Sequence, residues 1–134
     1  LKRTAARFRN GFTIIELLIV ILILAILMAV ALPLYLGTLS SSERSACRTN
    51  METIAHAEQS YRARHSPYAY TTDLSQLNSD LVSTPTCPAG GTYSVRISNG
   101  SDTAQNGNPV GAGGLIVECS DSGHGIYAPG VDTE

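Results

Sequence analysis

Glu16 is the residue whose position asks most for a chemical reason. Gly11-Phe12-Thr13-Ile14-Ile15 precedes it, and residues 17–36 follow as LLIVILILAILMAVALPLYL, twenty residues without a charge. A carboxylate inside an apolar stretch costs several kcal/mol if it is buried alone, and it usually marks function. Two roles suit it. At a helix N-terminus its charge complements the macrodipole. In an assembly it can meet a cation supplied by another chain. The other reactive side chains are Cys47, Cys87 and Cys119, with His56, His65 and His124. No Ser/His/Asp spacing and no paired-carboxylate pattern accompanies them, so no catalytic residues are assigned and the chain is not expected to be an enzyme.

The elements that position these residues divide the chain in two. A helix over residues 17–36 rises about 30 Å, the thickness of a bilayer core. Lys2, Arg3, Arg7 and Arg9 precede it with no acid among them, which keeps the N-terminus cytoplasmic and sends the remainder across the membrane. A secretory signal peptide shares this layout, and Ala29-Val30-Ala31 offers it a cleavage site. Glu16 and the length of the run argue against that reading. Pro33 lacks the N–H for its own helical bond and kinks or loosens the helix, and Gly37 weakens the same zone.

Composition sets outer bounds. With 134 residues, 43% apolar, 15% charged and a net charge of −2, the chain is one modest domain and not a disordered one. A pI of 5.9 does not suit a basic nucleic-acid module. The mean hydropathy of +0.06 averages an apolar segment with a polar, Gly-, Ser- and Thr-rich remainder.

Beyond Thr38 the chain stays free of Gly and Pro until Ser66-Pro67. Cys47, Ile54 and Tyr61 recur every seven residues with Met51 among them, a narrow stripe for a helix that packs on one face. The expectation is one helix from about Phe12 to Arg64. A short helix follows near residues 72–77, with Asp73 as N-cap and Gln76 three residues on. Ten of the twelve glycines lie beyond Ala89. Tyr93, Val95 and Ile97 alternate with polar residues, Leu115, Val117 and Cys119 recur at the same two-residue spacing, and Gly125-Ile126-Tyr127-Ala128 makes a third strand. A glycine-rich loop opens at Asn99-Gly100 and runs to Gly114. The fold class is therefore α+β: a long N-terminal helix packed against a small antiparallel sheet.

The segment GFTIIELLIV resembles the class III signal of type IV prepilins and of the pseudopilins of type II secretion, with the glycine, phenylalanine, threonine and glutamate at the family's offsets. The resemblance implies cleavage by a prepilin peptidase between Gly11 and Phe12, and methylation of the new N-terminus. It implies assembly through Phe12, Thr13, Glu16 and Pro33, with Glu16 of one subunit facing the Phe12 amine of a neighbour. It divides the chain into a basic leader (1–11), a transmembrane and filament-core helix (12–37) and a globular head (38–134). The head comprises a helix over 38–65, a connecting region over 66–90 and a sheet over 91–134. The implied function is a pilus structural subunit that forms a helical filament of identical copies. The alternatives are a pseudopilin or minor pilin of a secretion or DNA-uptake system, and a membrane-anchored binding protein without long filaments. The implied partners are the peptidase, an assembly platform in the inner membrane and, before assembly, inner-membrane lipid. The final location is the cell surface. DNA binding is not expected: once the leader is lost, five basic residues remain against eleven acids, a net charge of −6, and Arg44, Arg48, Arg62 and Arg64 form the one cluster.

An extracytoplasmic head predicts a disulfide. Cys87 and Cys119 flank the first strand and the glycine loop, and the C-terminal loop common among type IV pilins supports their pairing. Cys47, on the apolar stripe, suits a small buried hydrophobe. By residue type, Cys47, Cys87, Cys119 and His124 also make a Cys₃His zinc set. Their spacing is not a paired-ligand pattern, and an oxidising compartment disfavours thiolates, so no metal and no cofactor are expected. Asp121 and Asp132 fall short of a calcium set, which needs further oxygen ligands.

Overall fold

The structure, a computed structural model, describes residues 11–132. All of the basic leader except Gly11 lies outside the described residues. The chain divides into two compact units, Leu1–Thr38 and Leu39–Glu134.

Helix α1 (Ile14–Arg64, 51 residues) supplies the described structure of the first unit from Ile14 onward, and it continues without a break past Pro33 and Gly37 into the second. It starts two residues later than its apolar pattern suggests, because Thr13 serves as its cap. Between Ile14 and Leu36 every large apolar side chain is at least 49% exposed. The helix is long and apolar enough to cross a membrane.

In the second unit the seven-residue stripe becomes the core. Cys47, Met51 and Ile54 are fully buried on α1, Ala55 and Ala57 join them, and Tyr61 packs at the margin. They meet one face of an antiparallel sheet with strand order β1-β4-β5: β1 (Tyr93–Ile97), β4 (Leu115–Cys119) and β5 (Ile126–Tyr127). The register pairs Tyr93 with Cys119, Val95 with Val117 and Ile97 with Leu115, so Tyr93, Val95, Leu115, Val117 and Cys119 all enter the core facing the helix. This is the expected α+β arrangement.

Three details differ from the sequence expectation. The turn after Asp73 is a single 3-10 turn (Leu74–Leu77), and the Asp73 carboxylate accepts from the Ser75 N–H at 3.0 Å. The glycine-rich loop is not irregular throughout: β2 (Asp102–Thr103) and β3 (Pro109–Val110) form a two-stranded ladder of their own. And β4 is buried on both faces. Its Ile116, pointing away from α1, is fully buried in a second cluster with Ala104, Val110 and Ala128. The β2–β3 excursion and the C-terminal turn therefore act as a third layer over the sheet.

Candidate functional site

The start of α1 is built from its own sequence. Thr13 is the N-cap and Glu16 the third helical residue, the spacing of a capping box. The Thr13 N–H and hydroxyl both donate to Glu16 Oε2 at 2.8 Å, and the Glu16 N–H donates to Thr13 Oγ1 at 3.3 Å. Orphan donors at the helix N-terminus are thereby satisfied. Among the described residues no cation pairs with Glu16. Gly11 and Phe12 lie outside the helix, and the Phe12 ring is 87% exposed, so the Gly11–Phe12 bond is reachable. Pro33, about five turns on, withholds the N–H that the carbonyl of Ala29 would otherwise accept.

The cysteines are brought together. Cys47 stands on α1, Cys87 in the segment before β1, Cys119 at the end of β4, and His124 in the turn between β4 and β5. All four are buried, and their ligand atoms lie within 4.8 Å of one another. Cys87 Sγ is 3.1 Å from His124 Nδ1, and Cys119 Sγ is 3.9 Å from the same nitrogen. Cys87 and Cys119, the pair expected to bridge, are neighbours here, and the structure draws no bond between any two of the three cysteines. The surroundings treat the sulfurs unequally. Burial pushes the Cys47 thiol up to about 12. Burial also raises Cys119. Burial opposes ionisation of Cys87 too, but the N–H groups of Ala89 and Gly91 and the nearby Cys119 and His124 outweigh it and hold that thiol at about 7.

Sequence reasoning missed Glu58. It is fully buried on α1, its Oε2 accepts the Thr71 N–H at 3.0 Å, and its Oε1 has no partner. Burial raises its carboxyl above the usual range. Its position one turn after Ile54, on the buried side of the stripe, was the available signal.

The remaining candidates serve the fold. The Asp132 carboxylate accepts from the N–H groups of Asn106 and Ala128 at 3.1 and 2.9 Å, closing the C-terminal turn. Asp121 accepts from the Gly123 N–H at 2.8 Å. Of the basic cluster, Arg48 pairs with Glu52 at 3.4 Å and lies over the Tyr127 ring. Arg62 donates to the Tyr68 carbonyl at 2.7 Å, and Arg64 pairs with Asp80. His56 and His65 are exposed, and the His65 ring stacks on Tyr61.

Comparison with known proteins gives two findings. A family model described as the prokaryotic N-terminal methylation motif matches residues 6–32. The chain is 30% identical over 116 residues to the type IV major pilin protein PilA of Myxococcus xanthus (strain DK1622), an alignment covering 84% of this chain and 50% of that protein. The chain thus spans about half the length of the curated relative it matches. No solved structure matches.

Proposed function

We infer that this chain is a member of the type IV pilin and pseudopilin family, a reading supported by its N-terminal methylation motif and its pilin relative, and that it is a structural subunit that polymerises through α1 into a surface filament and catalyses no reaction. The observation that carries the reading is an uncovered apolar helix with Glu16 at its start. Lipid covers such a helix before assembly, and the helices of neighbouring copies cover it afterwards. Capping the helix end asks only for an acceptor at position 16, which a neutral glutamine would supply, so the charge of the carboxylate is left for a partner.

Processing comes first. The basic leader stays cytoplasmic, the part beyond α1's apolar half is exported, and a membrane peptidase cuts the exposed Gly11–Phe12 bond. The new α-amine on Phe12 is a cation at neutral pH, with an ordinary pKa of about 8. It is the charge that Glu16 of an adjacent subunit can meet. In a low-dielectric filament core the desolvation of both groups cancels much of their attraction, so the pair sets register more than it adds stability. The hydrogen bond missing at Pro33 gives a point at which the otherwise unbroken helix can loosen as neighbouring helices pack.

The test is Glu16→Ala in cells that make the protein. The variant should insert and lose its leader normally, while sheared surface material should contain few or no filaments. Filaments at wild-type yield would overturn the assignment. Cryo-electron microscopy of the wild-type material separates the readings within the family: abundant filaments of this subunit mean a main structural pilin, and protein confined to the inner membrane means a pseudopilin or minor pilin.

A further inference from the structure

We propose that Cys47, Cys87, Cys119 and His124 hold a structural zinc ion that ties α1 to the sheet. A tetrahedral zinc with bonds of about 2.3 Å to sulfur and about 2.0 Å to nitrogen sets its donors roughly 3.5–3.8 Å apart. The two sulfur-to-Nδ1 separations, 3.1 and 3.9 Å, bracket that spacing, and all four donors fall within 4.8 Å. Small movements of side chains suffice to close the set. The donors are three thiols and one imidazole, soft ligands that in tetrahedral array favour zinc over magnesium or calcium. All four come from the protein and all are buried, which describes a closed structural site with no position left for substrate.

The surroundings are shaped for sulfur. The backbone N–H groups of Ala89 and Gly91 favour the charged form of the Cys87 sulfur, and that of Asp121 the charged form of Cys119. Such outer contacts orient thiolate ligands and spread their charge. A tight turn follows Cys87 directly, closed by a hydrogen bond from the Gly90 N–H to the Cys87 carbonyl, 2.9 Å, with a φ of +85° at Gly90. At Gly91 a Cβ would stand 2.8 Å from Cys119 Sγ, so the chain is held bare where the sulfur needs room.

A disulfide between Cys87 and Cys119, with Cys47 as a core residue, leaves the buried His124 imidazole beside the sulfurs without a role. An ion uses all four. In an exported head it would also hold as thiolates cysteines that an oxidising compartment otherwise pairs. Because the donors come from α1, the segment before β1, β4 and the following turn, the ion would staple a small core at its centre. Stability of this kind matters in a domain whose sheet has only three strands.

The test uses the full chain in detergent micelles, prepared without reductant or a metal-binding tag. Total zinc is measured, and alkylatable thiols are counted in denaturant with and without chelator. Zinc is then exchanged for cobalt. The expected results are one zinc per chain, three alkylatable thiols once the ion is removed, and an intense tetrahedral cobalt spectrum with thiolate charge-transfer bands. His124→Ala should lower zinc affinity by more than the ~10–100-fold that loss of an outer contact costs. A single alkylatable thiol with no zinc means a disulfide and overturns the proposal. Three alkylatable thiols with neither zinc nor a tetrahedral cobalt spectrum overturn it too. The cobalt spectrum is read on the wild-type chain, so a variant that misfolds does not shield the proposal.

Discussion

Thr13 and Glu16 hold each other at the start of α1, each supplying what the other's backbone lacks, at 2.8 Å through Glu16 Oε2 and 3.3 Å through Thr13 Oγ1. The carboxylate is therefore useful within one chain before any neighbour arrives. It completes the helix terminus that leads into an apolar segment. In the proposed filament its second partner is the Phe12 amine of a neighbouring copy. Capping and intersubunit pairing are separable, because the first needs an acceptor and the second needs a charge.

Glu16→Gln separates them. Glutamine at this position keeps the capping box but cannot neutralise an amine. The variant should therefore retain a well-formed first turn, read as amide exchange at Leu17 and Leu18 equal to wild type, and still fail to give filaments. Thr13→Val should do the reverse. It loses the hydroxyl contacts at a cost of about 0.5–2 kcal/mol to the helix terminus, speeds exchange in the first turn, and leaves filaments present. Wild-type filament yield from Glu16→Gln would show that the carboxylate matters as a cap alone.

Glu58 makes stability fall as pH rises. Its carboxyl is raised by burial, so the folded state holds the proton more firmly than the unfolded state does. This penalty is absent below the ordinary glutamate range, grows through the raised folded value, and stays constant above it. Glu58→Gln resembles the protonated form, because its amide oxygen can keep the bond from the Thr71 N–H. The variant should be more stable than wild type at neutral pH and equal to it in acid, in urea unfolding of the full chain in micelles followed by tyrosine fluorescence. Parallel curves at every pH would disprove the role.

Arg96 contributes with the opposite sign. It reaches from β1 to Asp102 at 2.8 Å and to Glu118 at 3.1 Å, and the bond from Arg96 holds the Asp102 carboxyl below its usual range. A depressed carboxyl stabilises above the ordinary aspartate range, and that contribution is lost as pH falls through the folded value. The side chain is 40% exposed, so solvent screens the pairs and Arg96→Met should cost no more than about 1 kcal/mol at neutral pH. The difference from wild type should shrink in acid. If it were unchanged at low pH, the loss would come from packing of the arginine stem and not from charge.

What the sequence disclosed depended on how far apart the cooperating residues lie. The stripe of Cys47, Met51, Ile54 and Tyr61 is written in one helix, and its period alone marks the buried face. Tyr93 and Val95, like Leu115 and Val117, reveal their strands by alternation within five residues. The capping box spans four residues and needed only the recognition that Thr13 precedes Glu16 by three. Ile116 gave no such sign, since its cover comes from Val110, Ala104 and Ala128 across two loops. The Cys47–His124 convergence is set by sheet register and helix placement together, neither of which a ligand spacing encodes. Glu58 follows Ile54 by one turn, which marks the buried face, but its acceptor role depends on the Thr71 N–H thirteen residues away, and helix periodicity carries no sign of that.

Ile116 tests the third layer. If the β2–β3 excursion and the C-terminal turn were loosely draped, truncating the side chain beneath them would cost little, because the cover would collapse into the space. Ile116 is fully exposed to neither solvent nor helix: it is completely buried, with Val110 and Ala128 nearly or wholly so beside it. The Asn106 and Ala128 N–H groups are clamped by Asp132, which restrains that cover. A restrained cover leaves a cavity, and Ile116→Ala should cost about 2–5 kcal/mol. Ile116→Val should cost about 0.5–1.5 kcal/mol. Urea unfolding midpoints at constant slope measure both. Losses below about 1 kcal/mol for the alanine variant would mean that the layer moves with the side chain.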